Sequence, residues 1–168
     1  MEVSFVFFPT NENIWDFICK REMPRKDGLF HGGLLLPPNQ ALFMWLVAWS
    51  NLFTGIFGLC RNHSSLAISP LLVFVTSLNY WRKPVYGLRR NLDMLSVVLG
   101  TLFATLRSFY SERKVLFWIF GFMGCSSYFV SWYFHRNYYK SYPWISTITH
   151  ALVHVFACLS NCLLFLDT

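Results

Sequence analysis

The stretch 141-SYPWISTITHALVHVFACLSNCLLFL-166 contains no Asp, Glu, Lys or Arg, and its reading decides the fold. A helix rises about 1.5 Å per residue, so about 20 apolar residues cross the hydrocarbon core of a bilayer. This stretch is long enough to do so. Charge-free blocks recur upstream at 28–60, 62–81, 94–106 and 115–135. The eight acidic and fourteen basic residues bracket these blocks. At 55% hydrophobic and 13% charged, against roughly 25% charged in ordinary soluble domains, the chain has too few surface-making residues for a water-soluble fold. The pattern is that of an all-α polytopic membrane bundle.

The 168 residues leave room for one domain. An N-terminal cytoplasmic or interfacial segment is expected over 1–40 and a transmembrane bundle over 41–168. Pro37-Pro38-Asn39-Gln40 is a helix-entry signal, which places the first span at 41–60. The next is 64–81, where Pro70 is a kink that neighbouring helices absorb. The third, 91–107, reaches a spanning length only if Asp93 lies inside it and faces protein. The last two are 115–134 and 144–166, giving five helices. No cleaved leader is expected, because Glu2 stands where a basic region belongs and Pro9 ends the short apolar run Val6–Phe8.

Lysine and arginine set the orientation. With five spans, one side receives Lys20, Arg21, Arg25, Lys26, Arg82, Lys83, Arg89, Arg90, Arg136 and Lys140. The other receives Arg61, Arg107, Arg113 and Lys114. The expectation is a cytoplasmic N-terminus and an exoplasmic or lumenal C-terminus. The net charge of +6 is explained by these loops and not by nucleic-acid binding, so the expected partners are membrane lipids. Cys19, Cys60, Cys125, Cys158 and Cys162 show no CxxC spacing, and disulfides are not expected. Trp81, Tyr86, Tyr133, Tyr138, Tyr139, Tyr142 and Trp144 sit at span ends, where interfacial aromatics belong.

Within the spans a few polar residues stand out. His150 and His154, four apart, share one helix face, and polar side chains inside a membrane are costly enough to need a reason. Two imidazoles on one face are half of a metal site. Ser77 near the end of the second span and Asp93 at the start of the third fall on the same membrane side as these histidines. A second account is open for each. Asp93 can pair with Arg89 or Arg90, Ser77 can bond its own helix backbone, and the histidines can hydrogen-bond between helices without metal.

Together these residues resemble the CREST superfamily of membrane hydrolases, which includes alkaline ceramidases, adiponectin/progestin-type receptors and enzymes that remodel GPI lipids. The family has Ser-x-x-x-His at one helix end, an Asp about a dozen residues on, and His-x-x-x-His in the last helix. Ser77, Asp93 in Asn91-Leu92-Asp93-Met94, and His150-Ala-Leu-Val-His154 look like those motifs. The resemblance implies Zn2+ on His150 and His154, with Asp93 as acid/base and Ser77 assisting the water or the substrate carbonyl. It covers about forty residues in two segments. Two departures are plain: Trp81 stands where the family has its first zinc histidine, and five helices replace seven. Indole has no lone pair to offer a metal, so His135 is the first candidate for the third ligand, with Asp93 and then Tyr80 behind it. The expectation is a membrane structural or assembly protein without catalysis, the alternative a zinc-dependent hydrolase of a lipid amide or ester.

Overall fold

The computed structural model describes Phe30 and residues 33–167; most of the expected N-terminal segment, with Cys19 and His31, lies outside the described residues. Five helices follow in order: α1 Pro38–Cys60, α2 Ser64–Trp81, α3 Leu88–Ser108, α4 Lys114–Asn137 and α5 Pro143–Phe165. All five expected helices are present. Three of them (α1, α4 and α5) are long and apolar enough to cross a membrane, so the chain is a membrane-embedded helix bundle. Helix α2 is shorter at 18 residues. Helix α3 carries Arg89, Arg90, Asp93 and Arg107 and is the most polar of the set.

Local sequence explains the boundaries. α1 and α5 both open with proline in the first turn, where the missing N–H costs nothing and the fixed φ suits the helix. α1 and α2 are joined through Asn62 at φ 62°, a left-handed conformation that asparagine tolerates. α3 begins three residues earlier than expected because Gly87, at φ 131°, makes the turn that lets Leu88 enter the helix. The preceding loop is tied back by Leu35 N donating to Pro84 O at 2.8 Å.

α1 and α5 pack on each other at the centre. α2 leans on α1, α4 on α5, and α3 on α2. The helices alternate in direction, so loops 82–87 and 138–142 share one end with Phe30 and residues 33–37, where Phe30 meets Tyr139. At the opposite end Arg61 Nε donates to Phe165 O at 3.3 Å, His63 Nε2 lies 3.0 Å from Asp167 O, and Arg113 Nε lies 3.8 Å from Asp167 Oδ1. Apolar clusters close each end: Leu36, Met44, Tyr80, Trp81 and Ala151 at the first, and Leu66, Ala104, Phe117, Leu164 and Phe165 at the second.

Burial follows a membrane logic. Small and polar residues such as Gln40, Asn51, Thr54, Ser77, Ser131, Ser146 and Thr147 are interior, while Phe53, Leu102, Phe122 and Phe129 face outward. Lipid solvates apolar side chains as well as a protein core does, so helix contacts in a bilayer rest on close packing and hydrogen bonds. At the α2–α3 contact Gly100 packs closely on Ser69, where an added Cβ would meet the Ser69 hydroxyl and make it turn away.

Candidate functional site

The residues singled out in the sequence occupy two adjoining places at the end shared by loops 82–87 and 138–142. In the first, Ser77 Oγ donates to Asp93 Oδ1 at 2.6 Å, joining α2 to α3. Ser77 is fully buried and Asp93 is 8% exposed. Thr76 Oγ1 also approaches Asp93 Oδ1 at 3.2 Å and lies 2.7 Å from Ser96 Oγ. Ser96 Oγ in turn donates to the Asp93 carbonyl at 2.8 Å. The alternative pairing of Asp93 with arginine is not made. The ion pair among the described residues is Arg113–Asp167, and the Arg90 guanidinium instead lies 5.3 Å from the centre of the Tyr86 ring.

The second place lies one helical turn from Ser77. Trp81 presents its ring to His150, with centroids 5.6 Å apart and planes at 71°. Tyr128 of α4 flanks the same imidazole at 6.2 Å. The His150 and His154 rings are 5.9 Å apart, and His154 Nδ1 lies 3.3 Å from Asn51 Nδ2 of α1. With Asn51 as donor, His154 accepts at Nδ1 and carries its proton on the other nitrogen. The amide also lies 3.8 Å from Cys158 Sγ through Asn51 Oδ1. The Trp81 indole N–H is buried and has no hydrogen-bond partner, although the residue is only 6% exposed.

The structure thus brings Ser77 to Asp93 and His150 to His154, with Trp81 beside His150. His135 is exposed near the end of α4 and packs on the Tyr139 ring at 5.4 Å. Among the described residues no three His, Cys, Asp or Glu side chains form a group able to hold a metal ion. The residues the resemblance singles out each have a neighbour inside the bundle: Asp93 Oδ1 is approached by two hydroxyls, His154 meets an amide, and an indole faces His150. Cys60, Cys125, Cys158 and Cys162 are free thiols.

Thr76, Ser96, Asn51 and Gln40 belong to this interior and do not stand out in the sequence. Gln40 Oε1 accepts from Thr147 Oγ1 at 2.8 Å and Tyr139 Oη at 3.2 Å, and Gln40 Nε2 donates to Pro143 O at 3.1 Å. Ser96, three residues after Asp93, and Thr76, next to Ser77, could have been found by asking which hydroxyls share a face or neighbourhood with the acid. Asn51 and Gln40 could have been found as the amides of an otherwise apolar block.

Comparison with family models, with curated proteins and with solved structures gives no match.

Proposed function

We propose that the chain is a non-catalytic multi-pass membrane protein with a structural or assembly role, in which the polar residues fasten helices together. Five spans, a cytoplasmic N-terminus and contact with membrane lipids belong to the same reading. The observation that carries it is the Trp81 indole packed against His150, at the position where the CREST resemblance needs a third zinc ligand. The remaining candidates are engaged in bonds between helices, Ser77 with Asp93 and His154 with Asn51, which is how buried polar groups hold a bundle together.

A second reading, zinc-dependent hydrolysis of a lipid amide or ester, is favoured by one feature. Asp93 is fixed through Oδ1, and Oδ2 makes none of the hydrogen bonds, as a carboxylate held for proton transfer would be arranged. Metal analysis of detergent-purified protein separates the two. The structural reading expects zinc far below one equivalent and no release of fatty acid from ceramide-type amides. One equivalent of zinc, lost in His150→Ala or His154→Ala, overturns it. The orientation is tested by membrane-impermeant labelling of single cysteines placed in loops 82–87 and 109–113. The loops should label from opposite sides, 82–87 from the cytoplasm.

A further inference from the structure

The α2–α3 seam holds more acceptors than protons. Thr76, Ser77 and Ser96 supply one hydroxyl proton each. Ser77 places its proton on Asp93 Oδ1 at 2.6 Å. Thr76 Oγ1 has four oxygens within reach: the carbonyls of Leu72 and Val73, each at 3.1 Å, Asp93 Oδ1 at 3.2 Å and Ser96 Oγ at 2.7 Å. One proton cannot serve them all. Ser96 Oγ faces the Asp93 carbonyl at 2.8 Å as well, and Asp93 Oδ2 accepts from none of these hydroxyls.

Among the described residues no basic side chain forms an ion pair with the carboxylate. It is 8% exposed and sits in a helix of a membrane bundle, where an uncompensated charge is expensive. Its neighbour Arg90 lies over Tyr86, and the ion pair among the described residues is at the far end of the bundle. What the seam offers is a carboxylate and several hydroxyl and carbonyl oxygens, the ligand type that hard cations prefer. One carboxylate balances one positive charge; a divalent ion would leave the seam with an excess.

We propose that Asp93, Thr76, Ser77 and Ser96 form a binding site for a monovalent alkali cation, Na+ in the first instance, at the contact of α2 and α3. The ion supplies a counter-charge and lets the crowded oxygens point their lone pairs inward. Occupancy tightens α3 onto α2. The site stands on the geometry of this seam alone, whether or not His150 and His154 ever hold a metal.

The test is unfolding of the full-length protein in detergent. NaCl is exchanged for N-methylglucamine chloride at constant ionic strength, at two pH values. Binding to the folded state alone lowers the unfolding constant by the factor 1 + [Na+]/Kd, about 11-fold at ten times Kd. The wild type should show this rise in stability with Na+. Asp93→Asn, which keeps shape and an acceptor but removes the charge, should abolish it, and Ser96→Ala should move the midpoint to higher Na+. A wild type indifferent to Na+ at both pH values overturns the site. So does a response to pH alone, which would mean that a proton supplies the charge. If Asp93→Asn does not fold, Ser96→Ala decides: an unchanged Na+ midpoint there rejects the site, and a raised midpoint upholds it.

Discussion

The α1–α5 contact and the α2–α3 contact solve the same problem with different chemistry. In the first, neutral groups meet with their valences matched: Gln40 uses both amide atoms on Thr147, Tyr139 and Pro143, and Asn51 meets His154. In the second, an acid is surrounded by hydroxyls that cannot all donate to their neighbours. A matched neutral network is complete as a fastening. At the second contact an acid is met by hydroxyls of both helices, so the two contacts differ in whether an acidic group takes part.

Four experiments can break or sharpen the contrast, taken from the largest expected effect to the smallest. Gln40→Leu should destabilise the bundle by about 2 kcal/mol, because it leaves the Thr147 and Tyr139 hydroxyls buried with one acceptor gone. Reversible unfolding in mixed micelles measures this. A loss under about 0.5 kcal/mol would show that the network is not the main fastening of α5. Next comes the Asn51–His154 pair. A double-mutant cycle with Asn51→Ala and His154→Ala should give a coupling of about 0.6–1.7 kcal/mol, the range found for hydrogen bonds between membrane helices. Zero coupling would mean the two side chains do not bond.

Trp81→Phe is expected to act in the opposite direction. Removing a buried donor that has no partner relieves its desolvation, so stability should be unchanged or rise by up to about 1 kcal/mol. The same unfolding measurement reads it, and a fall of more than about 1 kcal/mol would show that the packing lost with the indole outweighs the relieved donor. Smallest of all is Arg113→Ala. The pair with Asp167 is 3.8 Å long and the arginine side chain is 45% exposed, so the change in stability should stay below about 0.5 kcal/mol and shrink further with salt.

Much of this architecture is legible in the sequence. Blocks between charges located all five helices, with shifts of a few residues where proline and glycine set the ends. Ser77 and Asp93 were read at the same end of neighbouring helices, and the two are bonded. The partners of the acid were not. Hydroxyls are common in these helices, and only the rotation of α3 against α2 selects Thr76 and Ser96. Asn51 escaped for a related reason, since an uncharged amide does not interrupt an apolar block. His135 was read as a third ligand beside the histidine pair from its depth. Its ring packs on Tyr139, and one turn earlier Ser131 meets Ser146.

The basic residues at the far end of the bundle bear on how the molecule is made. The last carbonyls of α5 and Asp167 are met by Arg61, His63 and Arg113, all of them from turns that precede α5 in the chain. A helix end needs partners for its final carbonyls, and those for α5 are synthesised before α5 itself. When the ribosome delivers α5, its receptor is already standing. An alteration at Arg61 or His63 should therefore show its effect only once α5 is made, as an α5 that inserts yet docks slowly, while the preceding helices assemble normally.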